Sequence, residues 1–356
     1  MLMILIIFGY PKTGKTTFFN LISGASLPVD AFREKKEEIH QRTLPIPDPR
    51  LDRLAQLYPG KKKVSATVEI MDLPGVAYGD IKAGTTLSTL RRAEALLHVV
   101  RAFEAPQIPH SRGEIDPLRD IAYMEEELML ADLAVIENRL LKLEKELKRG
   151  AQAELQVERE ILLKLQTGLM EGQPIRKMEM TPSEEKMIRS YAFLSQKPLL
   201  HLINVDEVRL RTVDSWLEQN RIQAPFLLFA GLIESEISEL EPEERKTFLE
   251  EYGCGCGCQV AFFSFLPRWL NLVFFFTIGK DEVRAWPVAR NTPAQRAAGQ
   301  IHSDMEKGFI RAEVIPIEEL LALGSLQAAR DKGAIRLEGK DYPIQDGDVV
   351  FFRFAS

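Results

Sequence analysis

Cysteine is scarce in this 356-residue chain, and its three examples lie close together as Cys254, Cys256 and Cys258. Three clustered thiols do not make a disulfide framework, so the sequence is typical of a reducing compartment and predicts a cytoplasmic location. The alternating pattern could also be half of a zinc or copper site. Because no second cysteine pair or His-x-His follows nearby, a turn rich in small residues is the favoured interpretation.

Long hydrophobic runs are also lacking. The apolar run at residues 3 to 8 is too short to span a bilayer, and it lacks the basic flank and cleavage site of a signal peptide. A second apolar stretch, from 260 to 276, is interrupted by Pro267, Arg268 and Asn271. It predicts a buried helix or strand. We therefore expect no membrane partner.

An excess of positive charge is absent as well. The chain has 46 Lys and Arg residues against 52 Asp and Glu residues, which gives a net charge of -6. No overall basic field draws the chain to nucleic acid, so DNA is not an expected partner. A contact with RNA would need a local patch such as Lys61, Lys62 and Lys63, although short lysine runs are usually solvated surface.

What the sequence does contain is a G-x-x-x-x-G-K-[ST] motif at residues 9 to 16. The apolar run at 3 to 8 precedes the motif, and an amphipathic pattern follows it. Strand, glycine loop and helix form the context in which this motif binds nucleotide phosphates, so a chance glycine-rich turn is the weaker alternative. The residues predicted to contact the nucleotide here are Gly9, Tyr10, Pro11, Lys12, Thr13, Gly14, Lys15, Thr16 and Thr17.

Two side chains of this loop have predicted chemical roles. Lys15 should reach the β- and γ-phosphates and is a catalytic candidate, and the Thr16 hydroxyl should ligate Mg²⁺, the predicted cofactor. Downstream, residues 64 to 71 alternate as a strand and lead into a D-x-x-G sequence. Its Asp72 is expected to hold Mg²⁺ through water, and the Gly75 N–H is expected to sense the γ-phosphate.

A further buried strand, at 198 to 203, ends at the sequence Asn204-Val205-Asp206-Glu207. Guanine-specific switches carry N-K-x-D at this point, and its Asp selects guanine. Here Val replaces Lys, and the longer Glu207 replaces Asp, so adenine becomes a real candidate. A strand-end turn capped by Asn is the alternative interpretation. We also assign to nucleotide binding Gly231 and Leu232, which follow the next short strand.

Between these motifs the periodicity changes. Apolar residues recur at spacings of three and four in a charged segment: Met129, Leu133, Ile136, Leu140, Leu143 and Leu147. Gly150 interrupts this stripe, and leucines between 155 and 169 predict a returning helix. The segment therefore predicts an antiparallel helical hairpin whose stripe is its own core.

The whole chain is too long for one typical core. The predicted fold class is α/β, with a P-loop nucleotide-hydrolase (Ras-like) domain interrupted by the hairpin and followed by a small α+β domain. The predicted boundaries are 1–120 for the first part of the P-loop domain, 121–192 for the hairpin, 193–272 for the second part, and 273–356 for the C-terminal domain.

Several segments resemble the YchF/Obg-like ATPases, P-loop proteins of the GTPase superfamily with a helical hairpin and a C-terminal TGS domain of β-grasp fold. The similar segments are PIPDPRLDRLA at 45 to 55, IDPLRDI at 115 to 121, the N-x-x-E pattern at 204 to 207, AAGQIHSDMEKGFIRAEVI at 297 to 315, and RLEGKDYPIQDGDVVFFRF at 336 to 354. The resemblance implies that ATP is bound at least as well as GTP, that hydrolysis is slow, and that the ribosome or ribosomal RNA is a partner. We expect a monomer.

The resemblance also suggests a second catalytic candidate. Val76 follows the D-x-x-G sequence where small GTPases place a water-orienting Gln, and His110 aligns with a family histidine proposed for that task. A neutral imidazole can orient or deprotonate water. An exposed loop histidine without a catalytic role is the alternative.

The chain also departs from the family pattern. The phosphate loop has Lys12 and Thr13 where the family usually has Asn-Val. The charged segment from 32 to 38, where the first switch would fall, has Lys36 nearest to the expected Mg²⁺-capping threonine. The second switch, from 76 to 84, is shortened, and the segment from 254 to 269 does not follow the family. These changes make efficient hydrolysis and nucleotide-driven switching less secure than nucleotide binding.

Two classes of function therefore remain open. The first is a Mg²⁺-dependent nucleoside triphosphate hydrolase, with ATP favoured over GTP, that acts as a ribosome-associated switch. The alternative is a nucleotide-binding regulator, or an RNA- or ribosome-binding adaptor, with negligible turnover.

Overall fold

The computed structural model of the chain describes residues 3–29, 39–76, 79, 81, 84–110, 112–150, 153–212 and 225–355. The predicted first switch at 32 to 38 lies outside these residues, as does part of the second switch between 76 and 84. In the described part of the chain, no helix is long and apolar enough to cross a membrane. Two compact units are present, one built from residues 3–42 and 69–262, the other from residues 43–68 and the segment from 263 onward.

The described strands and helices are numbered here in chain order. The strands are β1 (Met3–Phe8), β2 (His40–Pro45), β3 (Lys62–Val64), β4 (Thr67–Asp72), β5 (Ala95–Ala102), β6 (Leu199–Val205), β7 (Phe226–Phe229), β8 (Leu272–Ile278), β9 (Glu282–Ala289), β10 (Phe309–Pro316), β11 (Arg336–Glu338) and β12 (Asp348–Phe354). The helices are α1 (Lys15–Ser23), α2 (Pro49–Leu57), α3 (Gly84–Arg92), α4 (Pro117–Leu147), α5 (Ala153–Met170), α6 (Pro182–Ile188), α7 (Glu207–Arg211), α8 (Gly231–Ser238), α9 (Pro242–Glu251), α10 (Cys258–Trp269), α11 (Ala294–Ile301), α12 (Ser303–Lys307), α13 (Ile317–Leu323) and α14 (Leu326–Asp331).

The first sheet has the strand order β2-β4-β1-β5-β6-β7. Strands β1, β5, β6 and β7 pair in parallel with one another in this order, with Leu5 opposite Ala95 and Ile203 opposite Leu228. Every residue of β5 and β6 is buried, as expected for parallel strands that are covered on both faces. Because the carboxyl ends of parallel strands meet at one edge, the loops after β1 and β6 lie close together there.

The predicted helical hairpin is present as α4 and α5. Helix α4 begins at Pro117, and the preceding Asp116 caps it by accepting a hydrogen bond from the Arg119 N–H at 3.0 Å. The apolar stripe of α4 packs against Leu162, Leu165 and neighbouring residues of α5 in one buried cluster. The stripe is therefore the core of the hairpin, as its spacing predicts.

The second sheet has the strand order β11-β10-β12-β8-β9-β3. Strands β8 and β9 are antiparallel, β12 runs parallel to β8, and β10 is antiparallel to β12. Helix α11 packs on this sheet through three alanines that are fully buried together with Val273 and Val350. Two strand pairs around a crossing helix form the β-grasp arrangement expected of the C-terminal segment, so the predicted fold class is confirmed.

Residues 43–68 belong to the same compact unit as the C-terminal segment. Strand β3 pairs in parallel with β9. On α2, the Arg50 guanidinium lies 2.7 Å from Asp346 and 2.8 Å from Asp48, and it sits 5.3 Å from the centroid of the Phe276 ring. The segment after β2 therefore packs with residues more than two hundred positions away in the chain, in β9 and at Asp346. The four predicted domain boundaries stay a prediction.

The glycine-rich cysteine segment and the apolar stretch after it have clear local structures. Gly253, Gly255 and Gly257 all have left-handed backbone angles, with φ of 75°, 59° and 77°. Such angles are easy only for glycine, so the repeat forms a tight turn between α9 and α10. The apolar stretch is divided between helix α10 and strand β8.

Candidate nucleotide site

The loop between β1 and α1 turns sharply at two glycines. Gly9 has φ of 144° and Gly14 has φ of 100°, both in the left-handed region. A side chain on Gly9 would place its Cβ 2.5 Å from the Val99 carbonyl oxygen, and one on Gly14 would strike the Asn204 amide. Both positions therefore need glycine for conformation and for space.

The middle of the loop is packed against the D-x-x-G sequence. The Gly75 α-carbon lies against Pro11, and a Cβ there would come 2.7 Å from the Pro11 Cα. The Val76 N–H donates to the Gly9 carbonyl at 3.0 Å. The exposed Lys12 has φ of 62°, which a non-glycine residue adopts at a cost of about 1–3 kcal/mol. The family's usual Asn tolerates this angle better.

Lys15 is buried at the start of α1, where its ammonium donates to the Tyr10 carbonyl at 2.8 Å. The Thr13 hydroxyl donates to the same carbonyl at 3.1 Å. Helix α1 continues from here, with the Phe18 N–H donating to the Gly14 carbonyl at 2.9 Å. The loop is thus preformed around the lysine, at a helix N-terminus that favours anions.

Thr16 and Asp72 come together beside this lysine. The Thr16 hydroxyl donates to Asp72 Oδ2 at 2.7 Å, and Asp72 is buried at the end of β4. A hydroxyl and a carboxylate are the hard oxygen ligands that Mg²⁺ takes in nucleotide sites, with phosphates and water as its other ligands. In the described residues, no cluster of three or more His, Cys, Asp or Glu could hold a metal by itself. The residues present therefore fit a Mg²⁺ ion that binds together with a nucleotide.

Asn204 connects two loops of the site. Its amide nitrogen donates to the Thr13 carbonyl at 3.1 Å, and its carbonyl oxygen accepts from the Gly231 N–H at 3.0 Å. The side chain is buried. It therefore ties the phosphate loop to the turn that begins α8, where bases are recognised in nucleotide switches.

The other predicted base-contacting residues have different surroundings. Val205 is buried in an apolar cluster with Val100 and Ala230, so its side chain is core rather than a surface for the base. Glu207 lies in the first turn of α7 and pairs with Arg211 at 2.6 Å. Leu232 is 75% exposed.

The remaining loop positions flank the phosphate cradle. Tyr10 is buried in the main apolar cluster of the nucleotide unit, and Thr17 is partly buried in the first turn of α1. Val76 is buried in the same cluster as Tyr10. An apolar, buried side chain offers no hydrogen-bonding group to a water molecule.

The side chain of His110 is buried, although the residue as a whole is partly exposed. Its side chain is 2% exposed, its Nε2 lies 3.0 Å from Asp120 Oδ2, and its Nδ1 accepts from the Arg112 N–H at 3.2 Å. Burial lowers the pKa of His110, although the Asp120 carboxylate opposes the shift. The imidazole is therefore neutral at pH 7, the form required to take a proton from water, but both of its nitrogens already face protein groups.

One residue that sequence reasoning missed is Glu234. Its carboxylate accepts from the Ala230 N–H at 2.9 Å and from the Cys258 N–H at 2.5 Å, and burial raises its pKa. It thereby joins the turn before α8 to the start of α10. A glutamate near the start of a helix is the sequence signal for this role, and it is too common to single out Glu234.

A parallel sheet, a glycine loop around a buried lysine, and a Thr–Asp pair beside it define a P-loop nucleoside triphosphate hydrolase. Residues 4–139 match a family described as 50S ribosome-binding GTPase, and residues 272–355 match the family YchF-GTPase_C, described as a protein of unknown function. The chain is 36% identical over 359 residues to the Ribosome-binding ATPase YchF of Bacillus subtilis, and the match covers 98% of each chain.

Two further comparisons agree. The human Obg-like ATPase 1 is 33% identical over 369 residues, covering 98% of this chain and 91% of the human protein. The solved structure of the Schizosaccharomyces pombe YchF GTPase superposes with a TM-score of 0.82 at 29% identity, covering 99% of this chain and 97% of the other. The chain belongs to the YchF/Obg-like ATPase family.

Proposed function

We propose that the chain binds a nucleoside triphosphate with Mg²⁺ at the loop from Gly9 to Thr17 and hydrolyses it slowly, with ATP favoured over GTP. The observation that carries the proposal is the 2.7 Å contact between the Thr16 hydroxyl and Asp72, beside the buried Lys15 ammonium. These three groups supply the charges and oxygen ligands that a metal-bound triphosphate needs.

The protein's own groups contribute mainly by position. The backbone N–H groups of the glycine loop and of the α1 N-terminus face the phosphates, and Lys15 exchanges its bond to the Tyr10 carbonyl for the β- and γ-phosphate oxygens. Thr16 and Asp72 would hold the Mg²⁺ ion, which neutralises charge that develops on the phosphates. Gly75 packs against Pro11, and its N–H would sense the γ-phosphate.

Slow hydrolysis is expected because few side chains are in a position to orient the attacking water. Val76 is buried and apolar, so no side chain directly after the D-x-x-G sequence orients this water. We propose that His110 performs this task after leaving its buried position beside Asp120. Turnover is then limited by the release of the histidine as well as by the chemistry.

Adenine preference rests on the residues after β6. Guanine selection needs a short carboxylate two positions after the Lys of N-K-x-D, whereas this chain has Val205, which is buried, and Glu207, which is longer. Glu207 can accept a hydrogen bond from an amino group of the base when it leaves Arg211. The names of the relatives, Obg-like ATPase and Ribosome-binding ATPase, support the preference for ATP.

We further propose that the chain acts as a regulatory switch on the ribosome, as a monomer in the cytoplasm. The printed names of the Bacillus subtilis and Haemophilus influenzae relatives, both Ribosome-binding ATPase YchF, support this partner. The charged outer surface of the α4–α5 hairpin offers a surface for such a contact.

Calorimetric titration with non-hydrolysable ATP and GTP analogues, run in parallel with Mg²⁺ present, tests the nucleotide proposal. We expect tighter binding of the ATP analogue and no measurable binding to Lys15→Ala. Unchanged affinity in that variant would contradict the site assignment, and a clear preference for the GTP analogue would overturn the assignment of Glu207.

The alternative is a regulator or RNA-binding adaptor with negligible turnover. The lysine cluster that would favour RNA is largely engaged, because Lys61 donates to the Gly279 and Lys280 carbonyls at 2.6 Å and Lys63 pairs with Asp52 at 2.6 Å. Turnover measured with and without ribosomes separates the two proposals. Salt-sensitive RNA binding by the nucleotide-free protein, without hydrolysis in either condition, would favour the adaptor.

A further inference from the structure

Four buried or partly buried polar side chains form a continuous chain through the nucleotide unit. Arg176, in the short turn after the hairpin, lies 2.7 Å from the Glu125 carboxylate on α4. The same carboxylate lies 3.4 Å from His201 Nε2, and His201 Nδ1 lies 3.0 Å from His98 Nδ1. The chain therefore runs from the base of the hairpin into the middle of the sheet.

The register of β5 against β6 makes the two histidines neighbours. His98 on β5 is directly opposite His201 on β6, and both are 0% exposed. Burying a polar side chain at the centre of a parallel sheet costs free energy unless the side chain is hydrogen bonded. The contact between the two imidazole rings offsets part of this cost. Burial lowers the pKa of both histidines, and both are neutral at pH 7.

The direction of the hydrogen bonds follows from Glu125. Burial opposes ionisation of this carboxyl group, but the hydrogen bond from His201 and the charge of Arg176 prevail and lower its pKa. An ionised carboxylate only accepts, so His201 must carry its proton on Nε2. His201 Nδ1 is then an acceptor, and His98 must donate from Nδ1. This leaves His98 Nε2 as an acceptor with no hydrogen-bond partner among the described residues.

His98, the last of these four polar side chains, lies against the phosphate loop. A Cβ built on Gly9 would lie 3.3 Å from His98 Cδ2, so the imidazole edge fills the space directly beneath the first glycine of the motif. The His98 ring also packs on Phe8, with ring centroids 5.3 Å apart. A rotation of His98 would therefore change the support of the loop at the point where it leaves β1.

We propose that Arg176, Glu125, His201 and His98 form a buried relay that couples the base of the helical hairpin to the phosphate-binding loop, with His98 as the positioning residue beneath Gly9. The relay rests on the proposed nucleotide site, because its output is the shape of that loop. It gives a contact on the hairpin a physical route to the phosphates that does not pass through either switch segment.

Histidine side-chain ¹⁵N NMR tests the relay directly. The chain has five histidines, so the resonances can be assigned with single substitutions. In the nucleotide-free protein, we expect His98 protonated on Nδ1 and His201 protonated on Nε2. A different tautomer pair would overturn the relay. This measurement is independent of nucleotide binding, so it can succeed or fail separately from the proposed function.

Addition of the Mg²⁺–ATP analogue then tests the coupling. Once calorimetry shows that the analogue binds, the nitrogen shifts of His98 and His201 should change, while those of His302, whose side chain is 65% exposed, should not. Binding without any change at His98 would contradict the relay and leave the nucleotide site standing.

A double-mutant cycle measures the coupling without spectroscopy. Glu125→Gln should weaken analogue binding by about three- to tenfold, and the exposed neighbour Glu126→Gln should leave it unchanged. In a His201→Asn background, Glu125→Gln should have no additional effect, because the relay is already interrupted. Thermal unfolding of each variant identifies any loss of fold. Additive effects in variants that remain folded would contradict the relay.

Discussion

Thr16 donates a hydrogen bond to Asp72 Oδ2 at 2.7 Å, although 56 positions separate the two residues in the chain. The hydrogen bond joins the first turn of α1 to the end of β4, where the D-x-x-G sequence begins. If this point is the Mg²⁺ site, removing the hydroxyl should reduce the gain in nucleotide affinity that Mg²⁺ provides.

The variants Thr16→Ala and Thr16→Ser form a matched pair for this prediction. We expect Thr16→Ala to weaken binding of an ATP analogue in Mg²⁺ by at least about tenfold, with little change in EDTA, because one charge-assisted ligand is lost. Thr16→Ser keeps the hydroxyl and should bind normally. Titration calorimetry in both buffers provides the comparison. An equal loss in Mg²⁺ and in EDTA would show that Thr16 serves the loop's structure and not the metal.

A second prediction concerns the base. Glu207 pairs with Arg211 at the start of α7, and it stands at the sequence position of the guanine-selecting Asp. Glu207→Gln should lower affinity for the ATP analogue by about three- to tenfold, because a charged acceptor for the base amino group becomes neutral. Affinity for the GTP analogue should change less. The exposed Glu236→Gln on α8 is the control. Equal losses for both analogues would remove Glu207 from base selection.

A third prediction concerns His110. If the histidine orients the attacking water, His110→Ala should lower kcat by about a hundredfold while the affinity for the ATP analogue stays the same. The exposed His302→Ala should have no effect on either quantity. Single-turnover hydrolysis and calorimetry measure the two quantities separately. Full activity in His110→Ala would exclude the histidine from catalysis.

The sequence was sufficient for those parts of the site that depend on short spacing. A glycine loop between a strand and a helix predicts Lys15 and Thr16, and a strand that ends in D-x-x-G predicts Asp72, because each pattern is local and chemically specific. The hairpin core followed in the same way from the spacing of Met129 to Leu143. In all of these segments, one periodicity or one motif determines the local structure.

The parts that could not be predicted depend on pairs of distant residues. The register of β5 against β6 places His98 opposite His201, and no property of either strand alone indicates this. Arg50 and Asp346 are 296 positions apart, so a single sequence gives no reason to join them. Val205 shows a different difficulty, because its place after Asn204 suggests a base contact while its apolar side chain completes the core of the sheet.

The buried histidines also predict how stability depends on pH. Burial lowers the pKa of His98 and His201 in the folded protein, whereas in the unfolded chain both titrate near about 6.5. Below that pH the unfolded state binds more protons at these two histidines than the folded state does. The free energy of unfolding must therefore fall as the pH is lowered through about 6.5.

Between pH 7 and pH 6, these two histidines should reduce the free energy of unfolding by about 1 kcal/mol, and His110, whose pKa burial also lowers, adds to the loss. Asp132, whose pKa burial raises to about 6, acts in the opposite direction, because the folded state begins to take up its proton near pH 6. Urea unfolding followed by far-ultraviolet circular dichroism at the two pH values measures the difference. His201→Asn should reduce the loss by about half, and His302→Asn should leave it unchanged. Equal losses between pH 7 and pH 6 in the unsubstituted protein and in His201→Asn would mean that His201 accepts its proton in the folded protein.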